Sequence, residues 1–329
     1  MHTAQRRLRP PGRKRSPVWS TMAHLARVAR VGVPILALGL LGLSAPASGA
    51  ASSGFPVTVP GADGSVTLAH RPSAIVSLSP TATEMLYAIG AGKQVKAVDS
   101  DSDYPKDAPH TKLQAYSPNV ESIVAYKPDL VVEAQDIDGL AASLAKFGIP
   151  TLLEPAADDL KQEYDEFTQL GVATGHVAQA ASEVAHIRSQ ISGIVKSVPR
   201  SARGHTYYWE LDQTYYSATS STFIGQLLSL LGLHDIADSA TGAAASGGYP
   251  QLSAEFIIKA DPDYIFLADT ICCGQSPTTV AKRPGWSALT AVKEHHVVGL
   301  NDDIASRWGP RVVILLRDVA RALEAGGRT

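Results

Sequence analysis

The residues of this chain whose type and spacing could do chemistry are few: two adjacent cysteines, Cys272 and Cys273, and two glutamates, Glu121 and Glu255, that head matching segments. Adjacent thiols outside a reducing compartment can oxidise to a disulfide, although a trans peptide holds their Cα atoms about 3.8 Å apart, below the usual disulfide range. The alternatives are two reduced thiols or a share in a metal site, and a metal site needs more ligands at suitable spacing. The histidines are scattered singly apart from His295-His296, which precede an expected strand and read as an exposed turn. There is no G-x-S-x-G elbow, no P-loop, no H-E-x-x-H and no G-x-G-x-x-G after a strand. No catalytic residue, bound metal or cofactor is therefore expected, and the chain reads as a binder, with a metal-dependent enzyme as the alternative.

The glutamates belong to a repeat. ESIVAYKPDLVV from Glu121 and EFIIKADPDYIFL from Glu255, about 134 residues apart, share Glu, an apolar pair two and three residues on, Pro-Asp (Pro128-Asp129; Pro262-Asp263) and an apolar run. Proline lacks an N–H and ends a helix, while an aliphatic run suits a strand covered on both faces. Each copy is thus a short helix feeding a buried strand. A carboxylate at that helix start favours the helix dipole; it could act as an N-terminal cap or, if exposed, as an anionic docking point.

The elements that must position these groups repeat as well. The first half runs from strand AIVSLSP through helix TATEMLYAIGAG and strand QVKAVDS to the Glu121 unit, helix LAASLAKF and strand IPTLLEP. The second runs in the same order from HTYYWEL through SSTFIGQLLSLLGL, HDIADS, the Glu255 unit and WSALTAV to HVVGLN. Alternating strands and helices predict two similar open, mostly parallel α/β lobes with right-handed crossovers. Between them, Val177, Ala181, Val184, Ile187, Ile191, Ile194 and Val195 keep a helical spacing, which predicts one long connecting helix. The expected divisions are a leader at residues 1–50, a first lobe at 51–174, the connecting helix at 175–199 and a second lobe at 200–329.

Residues 1–50 carry eight Lys or Arg and no acidic residue, then the apolar stretch Val31 to Leu43 and the small-residue run SAPASGA. This pattern predicts a secretory signal cleaved near Ala47 or Ala50, with translation starting at Met1 or Met22, and therefore an extracytoplasmic protein. The alternative is an uncleaved anchor, against which the stretch is short for a membrane span. No cysteine lies near residue 50 to carry a lipid. Without the leader, 21 basic face 31 acidic residues, a net charge near −10, which argues against nucleic acid as a partner.

Ligands of open α/β sheets bind beyond the carboxyl ends of the strands. The loops there supply Ser79, Pro80, Asp103, Tyr104, Tyr116, Gln135 and Asp136 in the first half, and Tyr215, Tyr216, Asp302, Arg307 and Trp308 in the second. Aromatic faces with Asp, Gln and Ser beside them fit a bulky amphipathic ligand.

The motifs IVSLSPTATEMLYAIGAG, SDSDYP, NVESIVAYKPDLVV, YPQLSAEFIIKADPDYIFLA, RPGWSAL and SRWGPR occur in order over nearly all of residues 70–325. In these the chain resembles the extracytoplasmic substrate-binding proteins of ABC importers for cobalamin, haem and ferric siderophores. The resemblance implies a monomer that holds its transported ligand between two lobes and delivers it, unchanged, to a membrane permease. It also implies that Glu121 and Glu255 face arginines of that permease. LSPTATE with SDYP looks most like the cobalamin branch, which makes a corrinoid the expected ligand and a ferric siderophore or haem the alternatives. Tyr116 departs from that branch, standing where a tryptophan is expected, and Gln135-Asp136 replace an aromatic position. Haem-binding relatives place an iron-ligating tyrosine near Tyr116, but in a context that QAYSPN lacks.

Overall fold

The structure, a computed structural model, describes residues 54–326. The leader and its cleavage site lie outside the described residues. An antiparallel hairpin of β1 (Val57–Gly61) and β2 (Gly64–Leu68) precedes a four-stranded parallel sheet made by β3 (Ile75–Leu78), β4 (Val95–Val98), β5 (Leu130–Glu133) and β6 (Thr151–Leu153). A second parallel sheet is made by β7 (Thr206–Glu210), β8 (His234–Asp235), β9 (Tyr264–Leu267) and β10 (Val297–Gly299). The orders are β4-β3-β5-β6 and β8-β7-β9-β10, the same permutation twice. The repeat in sequence is therefore a repeat in topology.

Both central strand pairs are apolar on both faces because both faces are covered. Leu130 and Val132 of β5 enter the large core that runs through both lobes, and Val131 enters a smaller core on the other face. Tyr264 and Phe266 of β9 do the first, Ile265 and Leu267 the second. The Pro-Asp repeat has a mechanical role. The Asp129 carboxylate accepts from the backbone N–H of Ser73 (2.8 Å) and Ala74 (2.9 Å) at the foot of β3. The Asp263 carboxylate accepts from Thr206 N–H (2.8 Å) at the foot of β7. In both copies the residue before proline, Lys127 or Asp261, adopts a left-handed backbone that stops the helix.

The segment between the sheets is a pair of helices, Leu160–Thr174 and Val177–Ser197. Gly175, left-handed at φ 72°, turns the chain between them. The 21-residue second helix is roughly 31 Å long at 1.5 Å per residue. Its buried residues, Ala180, Ile187 and Ile191, join the same core as Val313, Leu316 and Leu323 of the C-terminal helix Val312–Gly326, so one apolar mass ties the lobes together. No helix of the described residues is long and apolar enough to cross a membrane.

Candidate ligand-binding site

A cavity of about 320 Å³ opens at the carboxyl ends of β3 and β5. Ser79, Pro80 and Thr81 line it where β3 turns into the helix Pro80–Ala88, with Gln135 after β5, Tyr116 on the loop after β4, and Arg307 and Trp308 from the second lobe. The local sequence builds this floor. The Ser79 hydroxyl caps the helix by accepting from Ala82 N–H (3.2 Å), and Pro80 occupies the first helical turn, where no N–H is needed. Tyr116 is 74% exposed and overhangs the opening. The Gln135 amide is exposed and makes no hydrogen bond within the described residues, so it is free to meet a ligand.

Arg307 and Trp308 reach the cavity on a segment pinned to the first lobe. Arg307 Nη1 donates to Glu84 Oε1 (2.9 Å) and Asp103 Oδ1 (3.1 Å); Nη2 donates to the Asp101 carbonyl (3.0 Å) and Asp303 Oδ1 (2.9 Å). Arg311 adds a fork onto the same Glu84 carboxylate, Nε to Oε2 at 2.8 Å and Nη2 to Oε1 at 2.6 Å. Glu84 is fully buried at the interlobe contact, where two guanidiniums keep its charge compensated. The Trp308 indole N–H donates to Glu166 Oε2 (2.9 Å) on the helix Leu160–Thr174. Burial pushes the Glu166 carboxyl up to about 8, against the pull of that indole N–H. Burial, with Glu166 nearby, pushes Glu154 up to about 9.

Of the twelve ligand contacts expected from sequence, Ser79, Pro80, Tyr116, Gln135, Arg307 and Trp308 come together at this cavity, and Asp103 joins them through Arg307. The other five stand apart from it. Tyr104 lies in a neighbouring recess with its ring 4.4 Å from the Arg311 guanidinium. The Asp136 carboxylate accepts from Ala141 N–H (2.9 Å) and serves the helix Leu140–Ala145. Tyr215 stacks on Trp286 (5.6 Å), beside Arg283, whose guanidinium forks onto buried Glu210 at 2.6 Å. Tyr216 is half-exposed on a bridge to Gln251. The Asp302 carboxylate accepts from the N–H groups of Thr270 (2.8 Å), Ile271 (2.9 Å) and Cys272 (2.7 Å), so it organises the turn that carries the cysteines. On that exposed turn Cys272 and Cys273 are joined as a disulfide. Glu84 and Glu166, the two buried carboxylates of the interlobe contact, were missed by sequence reasoning.

The caps of the two repeated helices are not the glutamates. Asn119 accepts from Ser122 N–H and Ser253 from Phe256 N–H, each a residue pair before and after its glutamate. Glu121 and Glu255 are exposed in the first turn, and their carboxylates make no hydrogen bond or ion pair within the described residues. Among the described residues no group of three or more His, Cys, Asp or Glu could hold a metal ion.

Residues 75–304 match the family described as periplasmic binding protein. The chain belongs to that family. As such it is a solute-binding protein and not an enzyme. It is 30% identical to a cobalamin-binding protein of Halobacterium salinarum over 285 residues, 82% of this chain and 74% of that one. It is 29% identical to an uncharacterized ABC transporter substrate-binding lipoprotein of Bacillus subtilis over 279 residues, 82% and 86% of the two chains. Among solved structures it resembles the periplasmic vitamin B12 binding protein of Vibrio cholerae, with a TM-score of 0.64 at 24% identity over 78% of this chain and 98% of that one. A periplasmic haem-binding protein from Roseiflexus gives 0.67 at 21% identity, over 78% and 99%. These two likenesses are of fold.

Proposed function

We propose that this chain is the extracytoplasmic solute-binding component of an ABC importer and that its cargo is a corrinoid, held as transported ligand and not as cofactor. The observation that carries the choice of cargo is the state of Arg307. Among the described residues it is the only cation lining the cavity, and both its Nη groups are already satisfied by Glu84, Asp103, Asp303 and the Asp101 carbonyl. The cavity otherwise offers aromatic faces, hydroxyls, the free Gln135 amide and one carboxylate, Asp101, which repels anions. Such a lining suits a ligand that is apolar on its faces and neutral at its edge, as a corrin ring with peripheral amides is. Haem, with two ionised propionates, and anionic ferric siderophores would meet no free positive charge there. A neutral ferric hydroxamate passes the same charge test and is the second reading.

The relatives named for cobalamin support the first reading over the second. Glu121 and Glu255, exposed and unpaired on matching helices, fit paired contacts to basic residues of a permease. Two arms, one per lobe, would sense both halves of the clamp. A thermal-shift panel tests the cargo, because a ligand that binds only the folded state raises its midpoint by mass action. A rise with cyanocobalamin and none with haemin is expected. A rise confined to haemin or to an anionic siderophore overturns the assignment.

A further inference from the structure

We infer that Glu84 and Asp103 are specificity determinants which withhold the cleft's guanidinium from anionic ligands. A guanidinium has five N–H groups, four of them on its two Nη atoms. Around Arg307 those four meet four acceptors at 2.9–3.1 Å: Glu84, Asp103, Asp303 and the Asp101 carbonyl. The two lobes divide the work, since Glu84, Asp101 and Asp103 come from the first and Asp303 from the second.

The charges decide what the cleft can attract. Arg307 and Arg311 carry two positive charges against the three carboxylates Glu84, Asp103 and Asp303, and Asp101 adds a fourth at the cavity wall. An incoming carboxylate therefore meets an excess of negative charge, at a site where the Arg307 side chain is 9% exposed and solvent screens weakly. A neutral amide meets no such barrier. Glu84 also fixes the geometry, because one buried carboxylate holds both arginines that flank Trp308 and so sets where that ring stands.

The inference rests on the neutral-cargo reading, and the test separates the two. Protoporphyrin and its dimethyl ester share one ring and differ in charge, so titrating both into the wild type, Asp103→Asn and Glu84→Gln isolates the electrostatic part. Asp103 is 56% exposed at its side chain, so Asp103→Asn is expected to fold, and it decides the question alone if Glu84→Gln does not. The diacid should bind Asp103→Asn about fivefold or more tighter than it binds wild type, the worth of one unmasked charge, while the diester is unchanged; in Glu84→Gln, which also releases the Trp308 segment, the ratio of diacid to diester affinity should rise by at least as much. An unchanged diacid affinity in Asp103→Asn, or an equal gain for the diester, overturns the inference. Wild-type preference between cyanocobalamin and haemin judges the cargo reading; the variant-to-wild-type ratio for diacid over diester judges the role of Glu84 and Asp103.

Discussion

At the scale of single residues, three half-buried arginines carry the electrostatics of the two lobes, Arg283 on buried Glu210 and Arg307 and Arg311 on buried Glu84. Arg283 is the partner of Glu210, whose side chain is fully buried at the end of β7. Glu210→Ala would leave that cation uncompensated in low dielectric, and we expect a loss of about 3–5 kcal/mol in urea unfolding. A change under about 1 kcal/mol would show that water or Gln275 replaces the carboxylate. Trp308→Phe keeps the aromatic face but removes the donor to Glu166, and about a tenfold weaker ligand affinity is expected from one lost hydrogen bond to a buried carboxyl. Unaltered titration curves would mean that the ring is placed by packing alone. Six of the twelve expected residues line the cavity, and the sequence marks most of them: Ser79, Pro80 and Gln135 follow strand ends, Arg307 and Trp308 lie in the SRWGPR run, and Tyr116 stands further along the loop after β4. Glu84 was hidden inside LSPTATE, one charge in a helix of small and apolar residues, and only the arrival of Arg307 and Arg311 from the far end of the chain gives it a role. Asp302 misled for the converse reason: sequence shows a carboxylate beyond a strand but not the three N–H groups it serves.

At the scale of elements, the two halves were legible because each strand and helix recurs in order, and Pro-Asp marks the foot of a strand in both. The β1–β2 hairpin was not, since it lies outside the repeat. Of the helix pair, apolar spacing gave only the second member, expected at 175–199, and Leu160–Thr174 was left within the first lobe. That pair approaches closely where Gly171 faces Ala180: a Cβ on Gly171 would stand 2.6 Å from the Ala180 Cβ. Gly171→Ala should therefore destabilise by about 1–3 kcal/mol despite better helix propensity, measured by thermal unfolding. A more stable variant would mean that the helices separate freely there.

At the scale of the whole molecule, buried carboxyls couple stability to pH. Glu154 and Glu166 release their protons near pH 4–5 in an unfolded chain, but only at about 9 and about 8 when folded. Between those limits the folded state holds more protons, so unfolding free energy falls as pH rises from about 5 to 9. Glu154→Gln should flatten that fall and raise the urea midpoint at pH 9 relative to wild type; an unchanged slope would place the proton uptake elsewhere. The proposed docking onto a permease is also a property of the whole, since it would use one glutamate from each lobe. Glu121→Arg or Glu255→Arg should leave ligand affinity within about threefold while abolishing uptake, because like charges then face each other. Normal uptake by the double variant would remove the docking role.

A cleft that takes a neutral corrinoid in preference to anionic iron ligands is tested most directly by calorimetric titration of the purified protein. With cyanocobalamin and haemin run side by side, we expect one cyanocobalamin per chain at micromolar affinity or better, about −8 kcal/mol, and at least tenfold weaker haemin. Tighter binding of haemin, with a Soret shift abolished in Tyr116→Phe, would contradict it.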